Sequence, residues 1–243
     1  MYREYVAPKA LAGFVECFWR SELSEAGSDE SGVVLPDGRV DVIWTAGGHT
    51  LVAGPQRRFL PRPLQPPFVA VGVRFHPGAG PPLLGLPAHE LVDTHVPLEA
   101  IDTRPAAALS RRLAALSDPD QAFGTLDRAL AELADRADGL DALVRGGTRL
   151  LDEPETTVGH LAGELALSDR QLLRRFRESV GYGPKTLQRV LRFRRFLAEL
   201  QKGSGGLAGI AASTGYADQA HLTRECRELS GYSPAALERL WRA

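Results

Sequence analysis

Arg174 and Arg177 lie in the stretch "ALSDRQLLRRFRESVGYGP" (Ala166–Pro184), and Arg224 and Arg227 take the same places in "GYADQAHLTRECRELSGYSP" (Gly215–Pro234), fifty residues on. A guanidinium is a planar fork of donors, suited to a guanine edge or a phosphate. Leu172, Glu178, Gly181-Tyr182, Pro184 and Leu187 likewise match Leu222, Glu228, Gly231-Tyr232, Pro234 and Leu237. Upstream the offset falls to 49, with Leu161-Ala162 against Ile210-Ala211 and Asp169 against Asp218. One residue is therefore inserted at the turn. The repeat is a doubled structural unit, not low complexity.

Elements that would hold these side chains follow from local chemistry. In each copy a short helix, about 158–165 and 207–214, carries a small alanine that permits close helix packing. A tight turn follows, and in the second copy Gly215 supplies left-handed backbone freedom. Ser168 then suits an N-cap, with Gln171 three residues later completing a capping box. Asp218 is the expected cap of the second copy. The helices that follow are amphipathic, with Leu172, Leu173 and Phe176, and likewise Leu222 and Cys226, expected inward.

This doubled helix–turn–helix resembles the DNA-binding domain of AraC-type transcription regulators. "TGYADQAHLTRECRELSGYSPAAL" is close to that family's second-motif signature, with Leu222 and Cys226 where phenylalanine is usual, and "LALSDRQLLRRFRESVGYGP" resembles the first. "PKTLQRVLRFRRFLAEL" (Pro184–Leu200) fits the connecting helix. The N-terminal part, through "VLPDGRVDVIW" and "VGVRFHPGAGPPLLGLPAHELVD", is similar to a sensor domain found on some bacterial members. The resemblance implies that Arg170, Gln171 and Arg174 read base edges in one major groove. Gln219, Ala220, His221 and Arg224 would do so in the next. Arginine suits guanine, glutamine suits adenine, and Ala220 has only a thymine methyl to touch. Ser168, Arg175, Lys185, Thr186, Arg189 and Arg192 are expected at phosphates, which fix register without reading sequence. Two recognition helices imply two half-boxes about one turn, roughly 34 Å, apart. For an isolated helix, Arg174, Arg175 and Arg177 would read as a solvated face; the double motif favours DNA.

Charge distribution agrees. Residues 155–243 hold 14 Lys/Arg against 9 Asp/Glu, a net of +5, which leaves -6 for the rest of a chain whose total is -1. Segregated basic charge is what a nucleic-acid-binding module joined to an acidic partner domain shows. No apolar run approaches the length of a membrane span, and "MYREYVAPKA" lacks the apolar core of a secretory signal, so a cytoplasmic location is expected. Cys17 and Cys226 are the two cysteines. Far apart and outside any CxxC, they support neither a disulfide framework nor a zinc ribbon. Cys226 reads as a small buried hydrophobe, not an activated methyl acceptor.

The first hundred residues are β-rich. "FVECFW" (Phe14–Trp19), "RVDVIWT" (Arg39–Thr45) and "FVAVGVRF" (Phe68–Phe75) are separated by the turn formers Pro36–Gly38, Gly47–Gly48 and "PRPLQPP" (Pro61–Pro67). Trp19, Asp37, Arg39, Asp41, Trp44, Arg74 and His76 are the candidates for contact with a ligand there. Asp37 and Asp41 also fit a turn-capping role. Arg74 interrupts an apolar strand, either to line a pocket or to point outward from an edge. His49, His76, His89 and His95 have no metal-ligand spacing, no glycine-rich piece fits a phosphate loop, and no cofactor is implied.

From Pro105 the pattern turns to Ala/Leu-rich helices, "DEPETT" (Asp152–Thr157) marks a boundary, and "KGSGG" (Lys202–Gly206) is a break. The expected fold class is α+β, with a β-rich sandwich or barrel over 1–104, a helical connector over 105–153 and an all-α DNA-binding domain over 154–243. The expected function is that of a sequence-specific transcription regulator, not an enzyme. Double-stranded DNA is the main partner, with a small-molecule effector, RNA polymerase and a second copy of the chain as further partners and no membrane. An alternative makes residues 1–150 an enzyme localised on DNA, but no catalytic constellation stands out. An architectural binder with little sequence preference is disfavoured, because the two recognition helices carry different polar sets.

Overall fold

A computed structural model describes residues 1–23, 35–60, 67–137, 139–203 and 206–242. Most of the proline-rich stretch at 61–67 and the centre of the Lys202–Gly206 break lie outside them.

The N-terminal strands β1 (Tyr2–Val6), β2 (Val15–Leu23), β3 (Asp41–Thr45), β4 (Thr50–Ala53), β5 (Phe68–Phe75) and β6 (His95–Pro97) form one antiparallel sheet, in the order β1-β2-β5-β3-β4-β6. β3 and β4 make a hairpin whose turn uses Gly48 at φ +79. One face of the sheet is a conventional core. Phe18, Val42, Trp44, Val52, Val71, Val73 and Phe75 are buried there beneath α1 (Gly80–Leu84), α2 (Arg104–Leu113) and α3 (Pro119–Arg136). The β-rich region is therefore a single sheet backed by helices. The stretch expected as a separate connector is divided, because α2 and α3 complete this first core whereas α4 (Ala142–Leu151) joins the next.

C-terminal helices follow as α5 (Val158–Glu164), α6 (Asp169–Val180), α7 (Pro184–Lys202), α8 (Leu207–Ser213), α9 (Gln219–Ser230) and α10 (Pro234–Arg242). Each helix–turn–helix has its own core. Leu161, Leu172, Phe176 and Leu187 anchor the first, and Ile210, Leu222, Cys226 and Leu237 the second, with α7 contributing to both. The caps form as local chemistry demands. Ser168 and Gln171 close a reciprocal capping box, and the Asp218 side chain accepts from the His221 amide; such caps are each worth about 1 kcal/mol. Leu173 departs from expectation. It is 45% exposed, because Leu172 and Phe176 already fill the inward stripe of α6.

Ala166, at the turn of the first copy, adopts φ +51, and Gly215 holds the matching place at φ +87. The inserted residue in the second copy thus follows a shared left-handed corner, which glycine takes without strain and alanine does not.

Candidate DNA interface and sheet cavity

Recognition helix α6 shares a core with the N-terminal half of α7, and α9 shares one with its C-terminal half. The 19 residues of α7 span about 28 Å at the usual helical rise, comparable with the roughly 34 Å between successive major grooves on one face of DNA. Arg170, Gln171 and Arg174 are exposed on α6, and Gln219, Ala220 and Arg224 on α9. Arg170, Arg174 and Arg224 make no ion pair among the described residues. Lys185 is exposed and Thr186 partly so on the first turn of α7, where the positive end of the helix dipole also favours a phosphate.

Other expected contacts are engaged inside the protein. Arg192 and Arg189 both bond Glu225, a carboxylate of α9 that is 6% exposed, and Arg189 also reaches Glu228. Arg192 further lies 4.8 Å from the centre of the Tyr216 ring. A buried carboxylate requires such partners, so these two arginines join α7 to α9 and are not free phosphate clamps. Arg175 is bonded to Asp141, the N-cap of α4, at 2.7 Å. His221 is turned back as well. Its Nδ1 accepts from the Ala217 amide, its ring meets Tyr216 edge-on, and Nε2 is 3.7 Å from Glu225. Ser168 and Gln171 engage each other, the Gln171 Oε1 accepting from both the amide and hydroxyl of Ser168. An adenine contact by Gln171 needs that box to open.

The N-terminal domain reaches this surface. The 3₁₀ turn Ala88–Glu90 packs against α6, and His89 lines an open cleft with Arg170, Gln171, Arg174 and Arg177. Loop 54–60 docks on α9, where the Phe59 amide donates to the Leu229 carbonyl at 2.6 Å and its ring meets Tyr232. Gly38 sits over Tyr182, Leu187 and Val190, and its φ of +79 suits glycine alone. Exposed Arg57 is held by Asp93.

The second face of the sheet is hollow. A cavity of about 400 Å³ is walled by Trp19, Asp41, Ile43, Leu51, Phe68 and Arg74 on the strands and by Leu35, Asp37, Arg39 and Gln56 on the segments between them. Period-two alternation decides membership. Residues 41, 43 and 45 of β3 face the cavity, whereas Val42 and Trp44 face the core. Trp44 is fully buried on the wrong face for a ligand, which corrects its place among the candidates. His76 lies beyond the end of β5 and does not line the cavity either; its amide donates to Phe14. Arg74, by contrast, belongs. β5 lies between β2 and β3, so the edge-strand reading of Arg74 is excluded, and Gly72, paired with Trp19 of β2, leaves room for the indole ring.

Arg74 donates to both oxygens of Asp41 at 3.3 Å, to Glu4 at 3.3 Å, and lies 3.7 Å from Asp37. The Trp19 indole donates to Asp41 at 3.0 Å. Burial pushes the Asp41 carboxyl up to about 6, against the pull of Arg74. Arg39, 7% exposed, bonds Glu16 and the Asp37 carbonyl. Behind it, on α7, burial and then the like charge of Arg39 lower the pKa of Arg194. Gln56 and His95, which carried no sequence signal as ligand contacts, also line the cavity. Their position follows only from sheet order and loop docking. Among the described residues no cluster of His, Cys, Asp and Glu is arranged to hold a metal, and no helix is long and apolar enough to cross a membrane.

Residues 161–239 match the family model described as "Helix-turn-helix domain", and residues 3–97 one described as "Domain of unknown function (DUF6597)". Comparison with curated protein sequences gives no match. Among solved structures, ToxT from Vibrio cholerae O395 bound to (E)-4-(8-methylnaphthalen-1-yl)but-3-enoic acid aligns over 99% of this chain and 99% of its own, at 11% identity and a TM-score of 0.50. A further ToxT structure from the same strain aligns over 99% and 98%, at 10% identity and a TM-score of 0.47. At such identity the likeness is one of fold: an antiparallel sheet domain followed by a helical one.

Proposed function

With residues 161–239 making this chain an AraC-type helix-turn-helix DNA-binding regulator, we propose that it reads two adjacent major-groove half-boxes under the control of a small molecule held in the sheet cavity. The observation that carries the reading is that one 19-residue helix shares its two halves between two separate cores, each of which also holds an exposed recognition helix. Arg170, Arg174, Gln219, Ala220 and Arg224 are the base readers in this proposal. Lys185 and Thr186 hold phosphates at the start of α7. Gln171 joins the readers once its capping box opens, and His221 supports the turn instead of reading.

Control by a ligand rests on what the cavity wall touches. Segment 35–39 lines the cavity and packs on α7, with Leu35 reaching the second helix–turn–helix core. Loop 54–60 lines it through Gln56 and docks on α9 through Phe59. An occupant therefore bears on both reading units, and the turn at Ala88–Glu90 transmits a shift of the sheet domain to α6. ToxT, which shares the fold, has been captured with a small aromatic acid. A volume of about 400 Å³ suits a molecule of that order of size.

Selection of random DNA duplexes by the full-length protein at two salt concentrations tests the reading. Enrichment of a bipartite site with boxes about one turn apart is expected, with each arginine-to-alanine change at Arg174 or Arg224 losing roughly 1–3 kcal/mol of discrimination at one box. Binding that fades with salt and enriches no sequence would falsify sequence-specific reading.

A further inference from the structure

The polar atoms of the sheet cavity are unevenly matched. The two arginines of its wall, Arg39 and Arg74, serve four carboxylates: Glu4, Glu16, Asp37 and Asp41. Among the described residues, Arg194 of α7 is a further cation within electrostatic reach. Arg74 gives three of its five N–H donors to carboxylates, Nε and Nη2 to Asp41 and Nη1 to Glu4. The acceptors are not all served. Gln56 is 4% exposed, its side chain lines the cavity, and its Oε1 has no hydrogen-bond partner among the described residues. A buried acceptor without a donor costs roughly 1–3 kcal/mol and is uncommon in a native interior.

On the reading that this cavity is the effector site, we propose that its ligand is a small cation, a primary ammonium or amidinium carried on an apolar body, whose N–H donors serve Gln56 and Asp41 while the body lies against Trp19, Ile43, Leu51 and Phe68. The charge deficit, the orphan acceptor and the aromatic wall all ask for the same thing. An ammonium supplies donors and no acceptor, offsets the excess of carboxylates, and is attracted to the faces of Trp19 and Tyr2. A carboxylic acid of the kind bound to ToxT would place a third carboxylate beside Asp37 and Asp41, where Arg74 already serves Asp41 and Glu4. Asp37 gives the cation a route to DNA binding. It draws on Arg74 and Arg39, and its charge acts on Arg194 of α7, so a cation in the cavity weakens one electrostatic link between the sheet domain and the connecting helix.

The test uses three probes of one skeleton, 3-phenylpropylamine, 3-phenylpropanol and 3-phenylpropanoate, titrated calorimetrically into the full-length protein. The amine is expected to bind at least about tenfold more tightly than the acid at neutral pH, as a paired charge against a repelled one requires. Gln56→Leu and Asp41→Asn should each weaken the amine by a larger factor than they weaken the alcohol. Amine affinity should also rise with pH through about 6, as Asp41 ionises; Asp37, Glu4, Glu16, Arg39, Arg74, Arg194, Tyr2 and His95 are the other titratable groups around it. Should a variant fail to fold, the wild-type protein still decides, because bound amine must shift the Trp19 indole resonance and leave that of Trp44 in place. Acid binding as tight as amine overturns the cation assignment and leaves the effector cavity standing. Absence of binding by all three at millimolar concentration overturns both.

Discussion

Nη2 of Arg192 lies 2.9 Å from one carboxylate oxygen of Glu225 and 2.8 Å from the other, so a single guanidinium on α7 grips a buried carboxylate on α9. Arg189 adds a bond at 3.1 Å. The group orients the second recognition helix against the connecting helix. Removing Glu225 strips two guanidiniums of their shared buried carboxylate, and Glu225→Ala should cost about 3–5 kcal/mol in urea unfolding, with Arg192→Ala costing less because Arg189 still serves Glu225. Replacing both residues by leucine or methionine should recover most of that loss. A double variant as unstable as the summed single losses would show that the two act independently.

The same pairing separates structural arginines from DNA-binding ones. A cation that neutralises one phosphate adds about 0.9 to the slope of log affinity against log salt. Lys185→Ala should therefore lower that slope by about this amount on the selected site. Arg192→Ala should leave the slope near its wild-type value while lowering stability. An equal fall in slope for the two variants would return Arg192 to the phosphate-binding set.

At the corner of the first helix–turn–helix, Ala166 holds φ +51. Ala166→Gly removes the clash of its Cβ with the neighbouring carbonyl and should stabilise the protein by about 1 kcal/mol in thermal or urea unfolding. The reverse change, Gly215→Ala, should destabilise, since φ is +87 there and the added Cβ would stand 3.1 Å from the Pro154 carbonyl oxygen. Opposite outcomes would mean that the two corners are not equivalent.

Asp41 sets a pH dependence with a definite sign. Its carboxyl is raised from the ordinary 3.8 to about 6 in the folded state. Between those values the folded protein binds more protons than the unfolded chain, so the Asp41 contribution to stability declines as pH rises through that window. The Trp19 indole N–H donates to this carboxylate, and its nitrogen–proton resonance should titrate with a midpoint near 6. A midpoint near 4 would place Asp41 among ordinary carboxylates.

Local chemistry in the chain determined a good deal by itself. The two copies, their caps at Ser168 and Asp218, the left-handed corner at Gly215 and the inward Leu172, Phe176, Leu222 and Cys226 depend on residues within a turn or two of one another. Val71, Val73 and Phe75 likewise share one buried face of β5 through the two-residue period of a strand alone. Tertiary structure alone decided how the polar residues are used. Arg189 and Arg192 look like phosphate contacts until Glu225, more than thirty residues away, is folded against them. Alternation assigns Trp44 and Asp41 to opposite faces but does not say which face is packed with helices and which is hollow. Leu173 fits the apolar stripe of α6 by spacing, yet its neighbours fill the core first. Gln56 became a cavity residue because loop 54–60 docks on α9. Hydrogen-bond partners and packing surfaces are chosen by three-dimensional neighbours, and those depend on how the strands and helices assemble, which no short window of sequence contains.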